Sequence, residues 1–504
     1  MSRWIVGFVV AVMMAACSQT VSASSDESSA NDTAKDVGSS GSNGDISSSS
    51  EEELAEDCVG ESGRAWDGTT AKAFACGSGT KLSPFIILTA EQLAYLSFVV
   101  GASEKDYQGK YFKLAADILL NEGKVIDDKG GFVADSAKLH KWTPIGNSSV
   151  AFDGNFDGAG HTVSGMFINT TSSHNGLFGN SSGTVQNVTV ENSWVSGGKF
   201  TGSIIGNMKG AATLANPISR TSVFGNGDGV GGVVGNYQYV CCNKVGKIVN
   251  AKNYGNVSAV DYVGGIIGSA KDIEISDSEN FGEVIGRSKI GGIVGNLQTN
   301  TLLSNAKNFG KVVGKDQTGG IIGYFGYCCS ASGTLKNAKN NGKIEGEKFT
   351  GGIIGKNENS TNLSVTNNAD VVGTLYSAGL FGYVKNSTTK SMYNTGDVFG
   401  SDYVGGIAGY NQEGVTSAAY STGKVDGDSL VGLMIGYNYN TTMADYYYLK
   451  QGEQEPFGLN NGGGVATPKT VDEMKSESFA TLLGDEFVYK SGVNDGFPIL
   501  KWEE

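Results

Sequence analysis

The chain has 504 residues, 76 of them glycine and only 6 proline, with 17% charged residues and a net charge of −14. Glycine at about twice its usual share without matching proline excludes collagen and proline-rich linkers. Three histidines leave little for a histidine-based metal or triad enzyme, and the negative charge makes nucleic acid a poor partner. What remains is a β-rich, repetitive, exported protein.

Residues 1–16, MSRWIVGFVVAVMMAA, set Arg3 ahead of the apolar run Trp4–Ala16. This is a secretory signal, too short for a transmembrane helix, and no later stretch is apolar enough to span a bilayer. A cysteine directly after Ala15-Ala16 resembles the lipobox of bacterial lipoproteins. The resemblance implies that Cys17 is lipidated and anchors the chain, and that Ser18 after it permits passage to an outer membrane. Residues 17–57 form a tether: from Ser18 to Asp57 there are 13 Ser, 10 Asp or Glu and one Lys. Such a segment cannot bury enough apolar surface to offset chain entropy, so disorder is expected.

Residues 58–150 read as an N-terminal capping region. Cys58 and Cys76 are expected to form a disulfide at its entrance, as suits an oxidising compartment. Thr89 with Gln92 makes a capping box before an apolar run ending at Gly101, which predicts a short helix.

Over residues 151–450 the chain repeats. Ten segments end in a glycine of the form GGIIG or a relative, at Gly179, Gly206, Gly235, Gly268, Gly295, Gly323, Gly355, Gly382, Gly409 and Gly436. The commonest interval is 27 residues, as in NYGNVSAVDYVGGIIG, NFGEVIGRSKIGGIVG and NTGDVFGSDYVGGIAG. β-Branched pairs favour extended backbone, flanking glycines suggest tight bends, and no unit keeps a helical apolar period. The reading is an all-β fold: a parallel β-helix, or β-solenoid, of about 27-residue coils, with short helices at both ends. Asn253, Asn280, Asn308, Asn340, Asn367 and Asn394 hold one place in successive units and predict a hydrogen-bonded ladder. Gly286, Gly314, Gly346, Gly373 and Gly400 hold another, where positive φ or close approach is needed.

The two longest intervals contain Cys241–Cys242 and Cys328–Cys329. The pairs are three coils apart, about 14 Å, too far for a cross-link. Each pair either closes on itself as a vicinal disulfide or stays as free thiols. Their spacing matches no zinc pattern, and no metal or other cofactor is expected.

Residues 451–504 read as a C-terminal cap. Thr470 with Glu473 predicts a helix over 471–483, stopped by Gly484, and Phe497–Trp502 predicts a strand covering the last coil.

GGIIG and GGIVG at this spacing after NxGxVxG resemble the GLUG-motif repeats of bacterial cell-surface, adhesin-like proteins. FIILTAEQLAYL (85–96), GKYFKLAADI (109–118) and FDGNFDGAGHTVSGMFIN (152–169) resemble the regions that flank such repeats. FPILKW resembles their ending. The likeness covers about residues 66–502. Ser203, Ala378 and Leu433 stand where a motif glycine is usual. Related repeats also occur beside the metallopeptidase domain of immunoglobulin A proteases, which implies location rather than mechanism.

Signs of chemistry are few. HExxH and GxxxxGK[ST] are absent, and no catalytic residue is assigned. Asp153–Gly158 matches the opening of a calcium loop, but Ser164 stands at the twelfth place, and Asp-Gly turn chemistry accounts for it. Asp127, Asp128 and Asp272 are the nearest acidic candidates for a polysaccharide-cleaving site. Tyr324, Tyr383, Tyr410 and Tyr437 each follow a motif glycine and, with Tyr327, Tyr439 and Tyr446–Tyr448, suggest an aromatic strip. Exposed, it could bind a polysaccharide or another surface protein. Internal, it packs the coils, and that is the favoured reading. The function expected is surface-anchored binding or scaffolding without catalysis, at the outer membrane or cell surface, with the membrane met only through the lipid. The alternatives are a carbohydrate-active enzyme on the same coil and a structural spacer.

Overall fold

The computed structural model describes residues 58, 60–238, 245–326 and 333–504. The signal segment, Cys17, the tether, Tyr327 and the pairs Cys241–Cys242 and Cys328–Cys329 lie outside the described residues.

The chain winds as a parallel β-solenoid. A representative coil runs through Leu302–Asn308, Val312–Val313, Asp316–Gly319 and Ile322–Phe325. The first two strands join a 28-stranded sheet, the third an eight-stranded sheet and the fourth an eleven-stranded sheet. Each strand pairs in parallel with its counterpart in the coils before and after, so Asn280 faces Asn308, which faces Asn340. In that coil Leu303, Ala306, Val312, Ile321, Ile322 and Phe325 line the core. Each buried Ile or Leu contributes on the order of 2 kcal/mol. The parallel ladder begins upstream of residue 151, with Phe85–Ile87 pairing Tyr111–Leu114, and continues past 450 through Phe457–Asn461 and Ala466–Lys469.

The asparagine column is continuous. Asn253 donates from Nδ2 to Asn280 Oδ1 at 2.9 Å, and the same bond repeats from 280 to 308, 308 to 340, 340 to 367 and 367 to 394. The other amide hydrogen goes to the carbonyl two residues on, as from Asn308 to Gly310 at 2.8 Å. All six side chains are fully buried, and the column ends at Ser219 and Ser421. The second glycine of each motif faces it: a Cβ on Gly320 would lie 2.5 Å from Asn340 Cγ and 2.1 Å from the Gly352 carbonyl oxygen.

The glycine column at 286–400 resolves as close approach, because none of the five has positive φ. A Cβ on Gly314 would meet Thr318 Oγ1 at 2.2 Å. The left-handed corners fall mostly to other residues. Asn187, Asn216, Asn250, Asp277, Asn305 and Asn337 share one corner, as suits short side chains that hydrogen-bond locally. Glycine therefore does not mark the bends here: it marks where backbones crowd.

A disulfide joins Cys58 to Cys76. Helix Ala90–Gly101 carries the Thr89–Gln92 capping box and buries Leu93, Leu96 and Val99 against the first coils. A loop of the same region lies along the side of the stack. Asn192 Nδ2 donates to the Gly123 carbonyl (2.7 Å), Ser222 Oγ to Gly130 (2.7 Å) and Asn256 Nδ2 to Lys129 (2.7 Å).

The C-terminal segment differs from expectation twice. Its helix is two, Val471–Met474 and Glu477–Leu483, because Ser476 caps the second by accepting from the Phe479 amide. Ile499–Leu500 pairs antiparallel with Phe487–Val488 and does not cover the last coil. Instead Met474, Phe479, Leu483, Phe487 and Leu500 pack laterally on Tyr393, Tyr420 and Tyr447. Apolar rings on the outer side of one sheet supply the docking surface. Glu503, its side chain only 3% exposed, locks it by accepting from Lys339 Nζ (2.7 Å), the Tyr393 hydroxyl (3.0 Å) and the Leu500 amide (2.9 Å). The Tyr420 hydroxyl bonds the Pro498 carbonyl.

Asn308→Ala should lower unfolding stability by about 1–3 kcal/mol, because it strands the Asn280 amide in the core, whereas Asn341→Ala on the outside should change little. Chemical denaturation of both variants checks this. Burial, and then Glu503, push the Tyr393 hydroxyl well above its ordinary pKa. A folded-state pKa above the unfolded value gives stability that is complete below about pH 10 and lost as pH rises beyond it. Alkaline titration should therefore release the C-terminal cap together with a late rise in tyrosinate absorbance.

Candidate functional site: an aromatic face on the eleven-stranded sheet

The site begins with a crowding constraint. The last glycine of each motif lies against the left-handed corner of the coil before it. A Cβ on Gly382 would stand 2.7 Å from the backbone at Phe349 and Thr350. That contact fixes where the residue after the glycine emerges. Leu380 and Phe381 are both core residues, Tyr383 and Lys385 point out and Val384 points in, so the strand alternation resets at the glycine. Pairing skips this glycine as well, running Ile354 to Phe381 and then Lys356 to Tyr383.

Tyr324, Tyr383, Tyr410 and Tyr437 therefore lie half-buried on the outer face and do not form an internal stack. Lys356 takes their place in the coil between Tyr324 and Tyr383. Tyr439, 41% exposed, extends the group at its end. Tyr446, Tyr447 and Tyr448 do not belong to it: they are buried in the large sheet, and Tyr447 lies beneath the C-terminal cap.

A second rank runs beside the first. Tyr262, Lys289, Gln317, Phe349, Tyr376 and Tyr403 occupy the adjoining left-handed corner, each with φ between 53 and 58°. Phe349 stacks on Tyr376 (4.9 Å between centroids), Tyr376 meets Tyr403 at a tilt of 34° (4.7 Å), and Tyr383 stacks on Tyr410 (5.3 Å). The ranks meet edge to face, Phe349 to Tyr383 at 5.7 Å and Tyr376 to Tyr410 at 6.0 Å. Each such pair adds about 0.5–1.5 kcal/mol, enough to keep the rings ordered without a ligand. The Tyr383 hydroxyl donates to Gln412 Oε1 (2.9 Å), and burial with Glu358 nearby pushes its pKa up to about 12. The hydroxyls of Tyr376, Tyr403 and Tyr410 have no protein partner among the described residues. Rings stacked in this way cover one another's faces, so the strip offers edges, hydroxyls and intervening ammonium groups.

Sequence reading missed the corner rank. Its signal is an aromatic residue two places before the motif's first glycine, as in DYVGG, KFTGG and LYSAG. It also missed Tyr254, Phe281 and Phe309, which directly follow ladder asparagines, stack with planes 4° apart and are 37–40% exposed. Arg220 lies 4.3 Å over the Tyr254 ring.

The acidic candidates do not converge. Asp127 accepts the Lys129 and Gly131 amides (2.9 and 2.7 Å) and Asp128 pairs with Lys124 (3.0 Å), so both serve the loop. Both line a groove of about 370 Å³ with Arg220 and Tyr254. Asp272 is buried at another corner and accepts from Asn300 Nδ2 (2.9 Å). Asp157 is held by Gln186, Asn187 and the Ala159 amide rather than by a loop open to a cation. Among the described residues no group of three His, Cys, Asp or Glu is placed to hold a metal, and no helix is long and apolar enough to cross a membrane.

No family model matches the chain. It is similar to Halomucin of Haloquadratum walsbyi, 34% identical over 179 residues, which is 34% of this chain and 2% of that protein. It is also similar to a "Putative Gly-rich membrane protein" of Evansella cellulosilytica, 32% identical over 128 residues, 25% of this chain and 13% of the other. The chain thus spans a small part of the length of both relatives. Among solved structures, a "putative immunoglobulin A1 protease" of Bacteroides ovatus aligns over 86% of this chain and 96% of its own, with a TM-score of 0.41 and 17% identity.

Proposed function

We propose that the chain is a lipid-anchored envelope protein that binds polysaccharide through the two-ranked aromatic face and does not cleave it. The observation that carries this reading is the outward placement of Tyr376, Tyr403, Tyr383, Tyr410 and Tyr437 in consecutive coils, with the hydroxyls of Tyr376, Tyr403 and Tyr410 left for a ligand. The parallel ladder presents one rung about every 4.8 Å, close to the advance of one pyranose residue in an extended chain. A rigid row of preordered groups at that interval suits a polymer, because little side-chain entropy is lost on binding. The lipobox at Cys17, the GLUG-type motif and the name of the Evansella relative support a place on the cell envelope.

The purified chain, mixed with insoluble polysaccharides, should be depleted from solution without new reducing ends. Tyr410→Ala should weaken retention roughly tenfold. Reducing ends that form with the wild type and persist in Tyr410→Ala would replace binding with catalysis.

A further inference from the structure

The same face carries cations that the protein does not neutralise. Lys289 occupies the corner rank, with its ammonium 4.6 Å from the ring centres of both Tyr262 and Tyr324. Its hydrogen-bond partner is an amide, Asn296 Oδ1 at 3.4 Å, and among the described residues no carboxylate lies within 4 Å. Lys348 sits 4.8 Å over Phe349 and has no ion-pair partner among the described residues. Lys356 stands 5.6–5.8 Å from Tyr324, Phe349 and Tyr383 and shares Glu358 at 3.3 Å.

Two acids of the face are ion-paired elsewhere, and two meet only amides. Asp261 is bridged by Arg287 (3.1 and 2.5 Å), Glu358 accepts from Tyr324 (3.0 Å) as well as Lys356, and Asp316 accepts from Gln317 (3.2 Å). Asp402 accepts the Tyr403 amide (3.1 Å). Burial and the nearby Lys356 make the charged form of Lys289 harder to hold, while Asp316 and Asp261 favour it from beyond ion-pair reach. In a chain of net charge −14, Lys289 and Lys348 thus stand without an ion-pair partner among the described residues, and Lys289 is partly desolvated.

We infer that the face takes an acidic polysaccharide, with carboxylate or sulfate groups seated on Lys289 and Lys348 and sugar hydroxyls on Tyr376, Tyr403 and Tyr410. This rests on the binding reading above and names its substrate class. Two coils separate Lys289 from Lys348, roughly 10 Å, so an acid on alternate sugars would meet both. An ammonium held between aromatic rings is poorly hydrated, and an incoming anion regains for it the partner that water supplies only in part.

The test uses the full chain in affinity electrophoresis through gels containing polygalacturonate, dextran sulfate or neutral dextran. Retardation by one or both acidic polymers should exceed that by dextran at least tenfold and fall as salt rises. The arm that retards more identifies carboxylate or sulfate. Lys289→Gln with Lys348→Gln should bring the acidic polymers down to the dextran level. Lys385→Gln, a lysine of the adjoining eleven-stranded sheet that faces Glu413 at 4.0 Å, should not. Thermal melts of the variants check the fold. Equal retardation by all three polymers, or acidic binding unchanged in the double variant, overturns the acidic preference while leaving a Tyr410-dependent binding face intact. No retardation by any polymer, together with no depletion by insoluble ones, overturns both.

Discussion

A parallel stack sets the same position of every coil directly above the last, so whatever the interior admits once it admits as a column. The asparagines show the consequence most plainly. One buried carboxamide would leave polar atoms unsatisfied, at a cost of about 1–3 kcal/mol. Six in register bond one another and the turn carbonyls, and only the ends need serine instead. The second motif glycine is the other half of this arrangement, because any side chain there would meet the ladder. Where Leu433 replaces that glycine, Tyr448 replaces the asparagine. One rung earlier Gly406 is kept against Ser421, so the glycine column outlasts the asparagines.

The outer surface obeys the same rule without the demand for satisfaction. A ring that suits one corner is repeated on the next rung, and stacking rewards the repetition. Separate aromatic columns result: the two-ranked face beside the eleven-stranded sheet, the column through Tyr254, Phe281 and Phe309, and the column through Tyr393, Tyr420 and Tyr447 that the C-terminal segment covers. Lysines interrupt only the first. What distinguishes a binding face from a packing device on such a scaffold is therefore what the column leaves unpaired, not the presence of aromatic residues.

Features that repeat were legible in the sequence, since translation along the stack turns a period into a column. The coil, the asparagine ladder and the Thr89 and Thr470 caps all follow from local pattern. The side on which Tyr383 emerges did not, because alternation resets at Gly382 under pressure from the neighbouring corner, and that pressure belongs to another coil. Bends were read from glycine, whereas the structure gives several of them to asparagine and even to tyrosine, held at positive φ by the stack. Lateral docking of the C-terminal segment was equally hidden. Its decisive contact, Lys339 with Glu503, spans 164 residues and has no local signature.

The two flanking regions grip different stretches of the solenoid: the N-terminal loop reaches Asn192, Ser222 and Asn256, and the C-terminal segment takes hold from Lys339 onward. The rungs bearing Phe281 and Phe309 belong to neither grip. Recombination that adds or removes a whole unit there would change copy number without breaking either clasp or shifting any register. Reach, and with it the number of rungs in the stack, becomes a quantity that a lineage can tune by unequal crossing-over rather than by point substitution.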